Sequence, residues 1–216
     1  MNRSIRLRFL VLVVTFVLIF ATGVASAKTT SGTCGDDAYW TIDAEGKLTI
    51  SGTGEFDDAS AWALSRNEIV SVEIESGITS IADDAFYGCS KLESVTIADT
   101  VTEIGDRAFY ACSDLETITI PASVDELGDY AFGSTGLVTV ILAEGATEIW
   151  DDAFYGCDKL ESITIPGTVT EIGDRAFYAC KNLESIFIPQ SVTDLGEYAF
   201  SSSGLITVTI EEGATE

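Results

Sequence analysis

What this chain can fold into is constrained most by a repeat. The pair Ala-Phe falls at 85–86, 108–109, 131–132, 153–154, 176–177 and 199–200, with spacings of 23, 23, 22, 23 and 23 residues. A fixed period of roughly 20–29 residues marks a solenoid, in which each coil is one supersecondary unit stacked on the next. A longer period lies over the short one: 81–148 and 149–216 are each 68 residues long and agree at most paired positions. A block of three coils is present twice.

One copy, 104–126, assigns the roles. Asp106 is placed to cap a single helical turn over 107–112. Ala108, Phe109 and Cys112 then point inward about one turn apart. Leu115, Ile118 and Ile120 have the L-x-x-I-x-I pattern of a short strand, and Pro121 follows it, as Pro166 and Pro189 do in two other coils. Proline lacks an amide proton and suits a strand end. Val124 and Leu127 return the chain to the core. Stacking merges the apolar columns into one core and pairs the strands into a parallel sheet along one side. Gly105 is matched by Gly128, Gly173 and Gly196, but Ala82 and Trp150 hold the same place in the other coils. Small size, not a positive φ, is therefore the expected reason for glycine, and Trp150 is expected to be partly exposed.

The chain before the repeat divides in two. Residues 1–27 carry Arg3, Arg6 and Arg8, an apolar run from Phe9 to Phe20, and Ala25-Ser26-Ala27, the pattern of a cleaved secretory signal peptide. The apolar run is shorter than the roughly 20 residues a membrane span needs. Residues 28–68 read as an N-terminal β-hairpin cap, with strands around Tyr39–Ile42 and Lys47–Ile50 and with Tyr39, Trp40 and Trp62 to cover the open end of the first coil. The solenoid is then expected over 69–216: a half coil at 69–80 and full coils at 81–103, 104–126, 127–148, 149–171, 172–194 and 195–216. The last residues, Glu211 to Glu216, match Ala143 to Glu148, where another coil begins. The chain is thus expected either to be a fragment or to self-associate through an uncapped C-terminal coil.

Composition narrows the chemistry. The net charge is −24, and losing the leader removes three arginines and no acid, leaving −27 on 189 residues. Such a surface repels phosphate backbones and anionic lipid heads, so neither nucleic acid nor direct membrane binding is expected. There is no histidine, which removes the commonest general base and metal ligand. No Asp-x-Asp-x-Asp run or Cys-x-x-Cys pair supplies a calcium or zinc site, and no enzyme activity, metal or cofactor is expected. Cys89, Cys112, Cys157 and Cys180 share one coil position. Stacked equivalents lie about 4.8 Å apart with parallel Cβ vectors, whereas a disulfide wants Cβ atoms near 3.8 Å. Buried free thiols are expected instead.

The unit I-G-D-x-A-F-x-x-C-x-x-L-x-x-I-x-I-P-x-x-V-T-x, seen at Gly173-Asp174-Arg175-Ala176-Phe177 with Cys180, Leu183, Ile186, Ile188 and Pro189, resembles the BspA-like branch of bacterial leucine-rich repeats. The opening Ser31-Gly32-Thr33-Cys34-Gly35 through Leu48-Thr49-Ile50-Ser51-Gly52 is similar to the cap that often precedes them. Gly133–Gly136 and Ser201–Gly204 depart from the unit, being one residue short and lacking the cysteine. The resemblance implies an α/β leucine-rich-repeat solenoid with a parallel sheet on one face and short helical turns elsewhere. It also implies an exported, secreted or cell-surface protein that binds other proteins, host matrix or surface proteins among them; the alternative is a structural spacer with no ligand of its own.

The residues that alternate outward on the strands are the candidate binding face. One column holds Thr96, Thr119, Ile141, Thr164, Phe187 and Thr209, continued by Glu73; the other holds Ser94, Thr117, Thr139, Ser162, Ser185 and Thr207, continued by Ser71. Seven strands at about 4.8 Å make a strip near 30 Å long. Hydroxyls dominate it, with Ile141 and Phe187 as its apolar points.

Overall fold

A computed structural model describes residues 29–211. The predicted leader lies outside them. The chain opens with an antiparallel meander of β1 (Thr30–Thr33), β2 (Ala38–Ile42) and β3 (Lys47–Gly52). β2 and β3 form the expected hairpin. Its turn is set by Asp43, whose Oδ1 accepts from the amides of Glu45 and Lys47 at 3.0 and 2.8 Å, and by Gly46 at φ 82°. β4 (Gly54–Glu55) follows, then a 3-10 segment over Ala59–Glu68 capped by Asp58. Trp62 from that segment is buried, stacks on Phe86 with ring centroids 5.8 Å apart, and donates its Nε1 proton to the Ala85 carbonyl at 2.9 Å. The apolar end of the first coil is covered in this way, with Trp40 packed against Trp62; Tyr39, expected to share in the cover, alternates outward on β2 and is exposed.

Two kinds of strand then alternate along the chain. They are β5 (Ser71–Ile74), β6 (Ile78–Ile81), β7 (Ser94–Ile97), β8 (Glu103–Ile104), β9 (Thr117–Ile120), β10 (Glu126–Leu127) and β11 (Thr139–Leu142). The series continues with β12 (Glu148–Ile149), β13 (Ser162–Thr164), β14 (Glu171–Ile172), β15 (Ser185–Ile188), β16 (Asp194–Leu195) and β17 (Thr207–Ile210). Odd-numbered strands from β5 onward form the predicted parallel sheet, and β3 of the cap joins it in parallel to β5. Even-numbered strands form a second, narrower parallel row. Neither row is continuous. The main sheet has no ladder between β7 and β9 or between β13 and β15, and the second row has none between β10 and β12.

The segments expected as single helical turns are chains of reverse turns, with Arg107 and Ala111 in the left-handed region at φ 51° and 59°. Their amides alternate. Ala108, Tyr110 and Cys112 donate within the coil, to the carbonyls of Gly105, Arg107 and Phe109. Arg107, Phe109 and Ala111 donate to Asp129, Ala131 and Gly133 of the next coil, at 2.9, 2.8 and 3.0 Å. A helix would direct all six along itself; the alternation ties neighbouring coils together on this side too.

Inside, Phe86, Phe109, Phe132, Phe154 and Phe177 are fully buried and stack in one column that reaches Phe200. The thiols run beside it. Cys112, Cys157 and Cys180 donate to the carbonyls of Phe86, Phe132 and Phe154 at 3.2, 3.1 and 3.3 Å. In the shortened third coil Thr135 holds the thiol's position, but its Oγ1 donates to the carbonyl of Phe132 in its own coil, at 2.9 Å, and not to the coil before. All five cysteines are free and buried, and burial pushes the thiols of Cys34 and Cys89 up to about 12 and that of Cys157 up to about 11.

Asp106 does not cap a helix; it serves the next coil. Asp83 Oδ1 accepts from the Asp106 amide at 2.8 Å, and Asp106 Oδ1 accepts from the Asp129 amide at 2.9 Å. Asp151 and Asp174 accept in the same way from Asp174 and Glu197. A Cβ at Gly105, Gly128 or Gly173 would collide with the carboxylate and amide of the preceding aspartate. That close approach explains the glycines, none of which has a positive φ. Among the described residues no step joins Asp129 to Asp151, and there Trp150 replaces glycine. Its side chain is 9% exposed, so it is buried at the block junction and not partly exposed as expected.

Candidate functional site

The two outward columns are real neighbours across the strands. Thr119, Ile141 and Thr164 are in register on β9, β11 and β13, as are Thr117, Thr139 and Ser162. Phe187 and Ser185 on β15 face Thr209 and Thr207 on β17, and Ser94 and Thr96 on β7 face Ser71 and Glu73 on β5. All are exposed except Ser71, Glu73 and Thr139, which are partly buried. Thr139 and Ser162 share a hydrogen bond at 3.2 Å, and Lys47 of the cap pairs with Glu73 at the first end of the strip. The alternation that exposes these residues buries Ile118, Ile120, Val140 and Ile186 on the same strands. Ile141 and Phe187 are 43% and 51% exposed, two strands apart with only β13 between them.

Outward alternation did not reveal a third row. The residue just before each strand pair is Glu93, Glu116, Val138, Glu161, Glu184 and Ile206 in successive coils. The signal was available: glutamate follows the strand leucine in four coils, and a β-branched residue replaces it in the two short ones. The four glutamates are exposed, and none is in an ion pair among the described residues. Where one is followed by Val138 or Ile206 the coils are hydrogen bonded, Val138 to the Glu116 carbonyl at 2.8 Å and Ile206 to that of Glu184 at 2.9 Å. Where glutamate follows glutamate, at β7/β9 and β13/β15, the ladder is absent. Like charges side by side on neighbouring strands repel. Beside the first gap lies a shallow notch of about 450 Å³ lined by Glu93, Ser113, Asp114, Glu116, Thr117 and Lys159.

The second row is acidic as well, with Glu103 against Glu126 and Glu171 between Glu148 and Asp194. Desolvation, then the neighbouring acids, raises the carboxyl groups of Glu103 and Glu148. Asp152 is also raised, by burial against the pull of Arg175 at 2.9 Å, and its Oδ1 has no hydrogen-bond partner. A carboxyl whose folded pKa lies above its unfolded value binds its proton more tightly when folded. Its contribution is fully present below the unfolded value and is lost as pH rises through the folded one. The melting temperature is therefore expected to rise as pH falls from neutral toward about 5, just above the ordinary carboxylate range. Scanning calorimetry at the two pH values checks this, and a lower melting point at the acidic one contradicts it.

A family model described as BspA type leucine rich repeat region matches in six copies, over residues 58–151 and 107–216. Among solved structures, a leucine rich cell surface protein from Faecalibacterium prausnitzii is 31% identical, with a TM-score of 0.64 over 86% of this chain. This chain spans 56% of that protein. A leucine rich repeat protein from T. pallidum is 22% identical with a TM-score of 0.55, over 83% of this chain and 82% of its own, and agrees in fold. No curated protein matches the chain. Among the described residues no helix is long and apolar enough to cross a membrane. With the solenoid, the six copies and the matched span in agreement, the chain belongs to the BspA-type leucine-rich repeat family.

Proposed function

We propose that this is an exported, cell-surface protein that binds other proteins through the outward face of its main sheet. In this reading residues 1–27 are a cleaved leader, 28–68 the cap and 69–216 the binding solenoid. The observation that carries it is the pair Ile141 and Phe187, large apolar side chains left exposed in columns otherwise made of hydroxyls. The second block puts Phe187 where the first has Thr119. Hydroxyls suit an exposed sheet for their own sake, whereas exposed aromatic side chains are the anchors from which interfaces draw most of their energy. Leucine-rich repeat proteins in general are protein-binding scaffolds, and the family together with its cell-surface relative fits a bacterial surface protein.

The test is binding to a panel of immobilised extracellular matrix proteins. Phe187→Ser is expected to weaken a bound partner about tenfold or more with the melting temperature unchanged, since the ring is half exposed. Equal affinity would remove the sheet face from the account. Binding to no protein at all would favour a structural spacer.

A further inference from the structure

Resting on that reading, we infer the chemistry of the partner: a basic amphipathic helix lying along the solenoid axis, its cationic side chains on the glutamate row and its apolar side chains on Ile141 and Phe187. The first argument is charge. Glu93, Glu116, Glu161 and Glu184 are exposed and form no ion pair among the described residues. Four of the chain's cations are committed elsewhere, Lys47 to Glu73, Arg107 to Asp84, Arg175 to Asp152 and Lys181 to Asp158. Lys159 reaches the Ser113 carbonyl at 3.5 Å. Lys91 is exposed and in no ion pair among the described residues, and Lys159 lines the notch beside Glu93 and Glu116. Two lysines do not match four glutamates, and at a net charge of −24 a second copy would add more repulsion.

The second argument is the open sheet. Both gaps in the main sheet fall where two of these glutamates are neighbours, and the ladder is present where Val138 or Ile206 separates them from the next coil. Cations seated between Glu93 and Glu116, and between Glu161 and Glu184, would relieve the repulsion at both places. The second acidic row differs: its neighbouring acids Glu103 and Glu126, Glu148 and Glu171, and Glu171 and Asp194 keep their ladders, and the residues after its glutamates, Ile104, Ile149 and Ile172, are buried.

The third argument is spacing. Neighbouring strands lie about 4.8 Å apart, so adjacent glutamates are about 5 Å apart and the two apolar points about 10 Å apart. On an α-helix, side chains at i and i+3 or i+4 are about 5–6 Å apart, and those at i and i+7 about 10.5 Å along the axis. Both distances fit. An extended segment repeats a face every 6.7 Å or so, which matches neither.

The probe is a fluorescein-labelled alanine-based peptide of about 20 residues, ~30 Å as a helix, with leucine at every seventh position and lysines three and four places after each. Fluorescence anisotropy with the purified chain is expected to show saturable binding that weakens as sodium chloride is raised. Phe187→Ser, and separately the pair Glu161→Gln and Glu184→Gln, are each expected to reduce affinity about tenfold. The same peptide with its leucines scrambled off one face is expected to lose as much. No binding, or equal binding of the scrambled peptide, overturns the proposal, as does indifference to the glutamine pair. If the peptide fails while Phe187→Ser still weakens a matrix-protein partner, the helix is wrong and the sheet-face reading stands. If Phe187→Ser alters neither, both fall.

Discussion

Phe109→Ala is expected to cost about 3–5 kcal/mol, the range for deleting a buried phenylalanine. Phe109 is fully buried, and its ring stacks on Phe86 and Phe132 with centroids 5.0 and 5.1 Å away. In a solenoid a coil touches only its neighbours, so stability is a sum of coil terms and interface terms. The alanine leaves a cavity shared by two interfaces at once, and no distant contact compensates. The expected result is a lower urea midpoint together with a broader or split transition, as the coils on either side begin to unfold separately. Circular dichroism through a urea titration measures both. Phe187→Ser is the control, a loss of the same ring from a half-exposed site. A midpoint for Phe109→Ala equal to that of the control would show that the phenylalanine column is not what holds the coils together.

The second large effect comes from adding one methyl group. Gly128→Ala is expected to destabilise by about 1–3 kcal/mol, as overpacking against atoms that cannot yield does. The new Cβ would meet the Asp106 amide and carboxylate and the Gly105 carbonyl carbon. Two of those are backbone, so the coils must part, and the bond from the Asp129 amide to Asp106 lengthens or breaks. Gly167→Ala is the matched comparison, because a Cβ there meets nothing within 4 Å. It is expected to be neutral or slightly stabilising through the unfolded chain. Thermal denaturation of the two variants side by side decides the matter. Equal melting points would mean that the aspartate-to-amide steps carry no weight.

Much of the fold could be read from the repeat itself. The phenylalanine and leucine columns, the thiols beside them, the outward alternation on the strands and the hairpin around Asp43 all follow from side-chain type at fixed spacing. What escaped depends on main-chain bonds between coils. An Asp before Arg-Ala-Phe reads as a helix cap in one coil; only with the next coil in place does its carboxylate find the Asp129 amide. The second row of two-residue strands has too few side chains to show an alternation, and Glu126-Leu127 alone carries no strand pattern. Trp150 departs from its expected exposure for the same reason. Its exposure depends on the shortened coil below it, where the aspartate step is missing. At the candidate site the hydroxyl columns and Phe187 were legible from alternation. The glutamate row was not, because it precedes the strands and its meaning comes from which coils hydrogen bond.

The junction between the two blocks bears on how the molecule would come apart. At 148/149 the second row has no ladder, the aspartate step is missing, and the Phe132 and Phe154 centroids are 5.9 Å apart, the widest gap in their column. The halves are nevertheless joined there by the β11–β13 ladder and by the Phe132 and Ser134 amides, which donate to Ala153 and Tyr155 across the joint. A pull on the two ends would therefore be borne at the joint by the main-sheet side, and the halves would hinge open from the side of the second row before they parted.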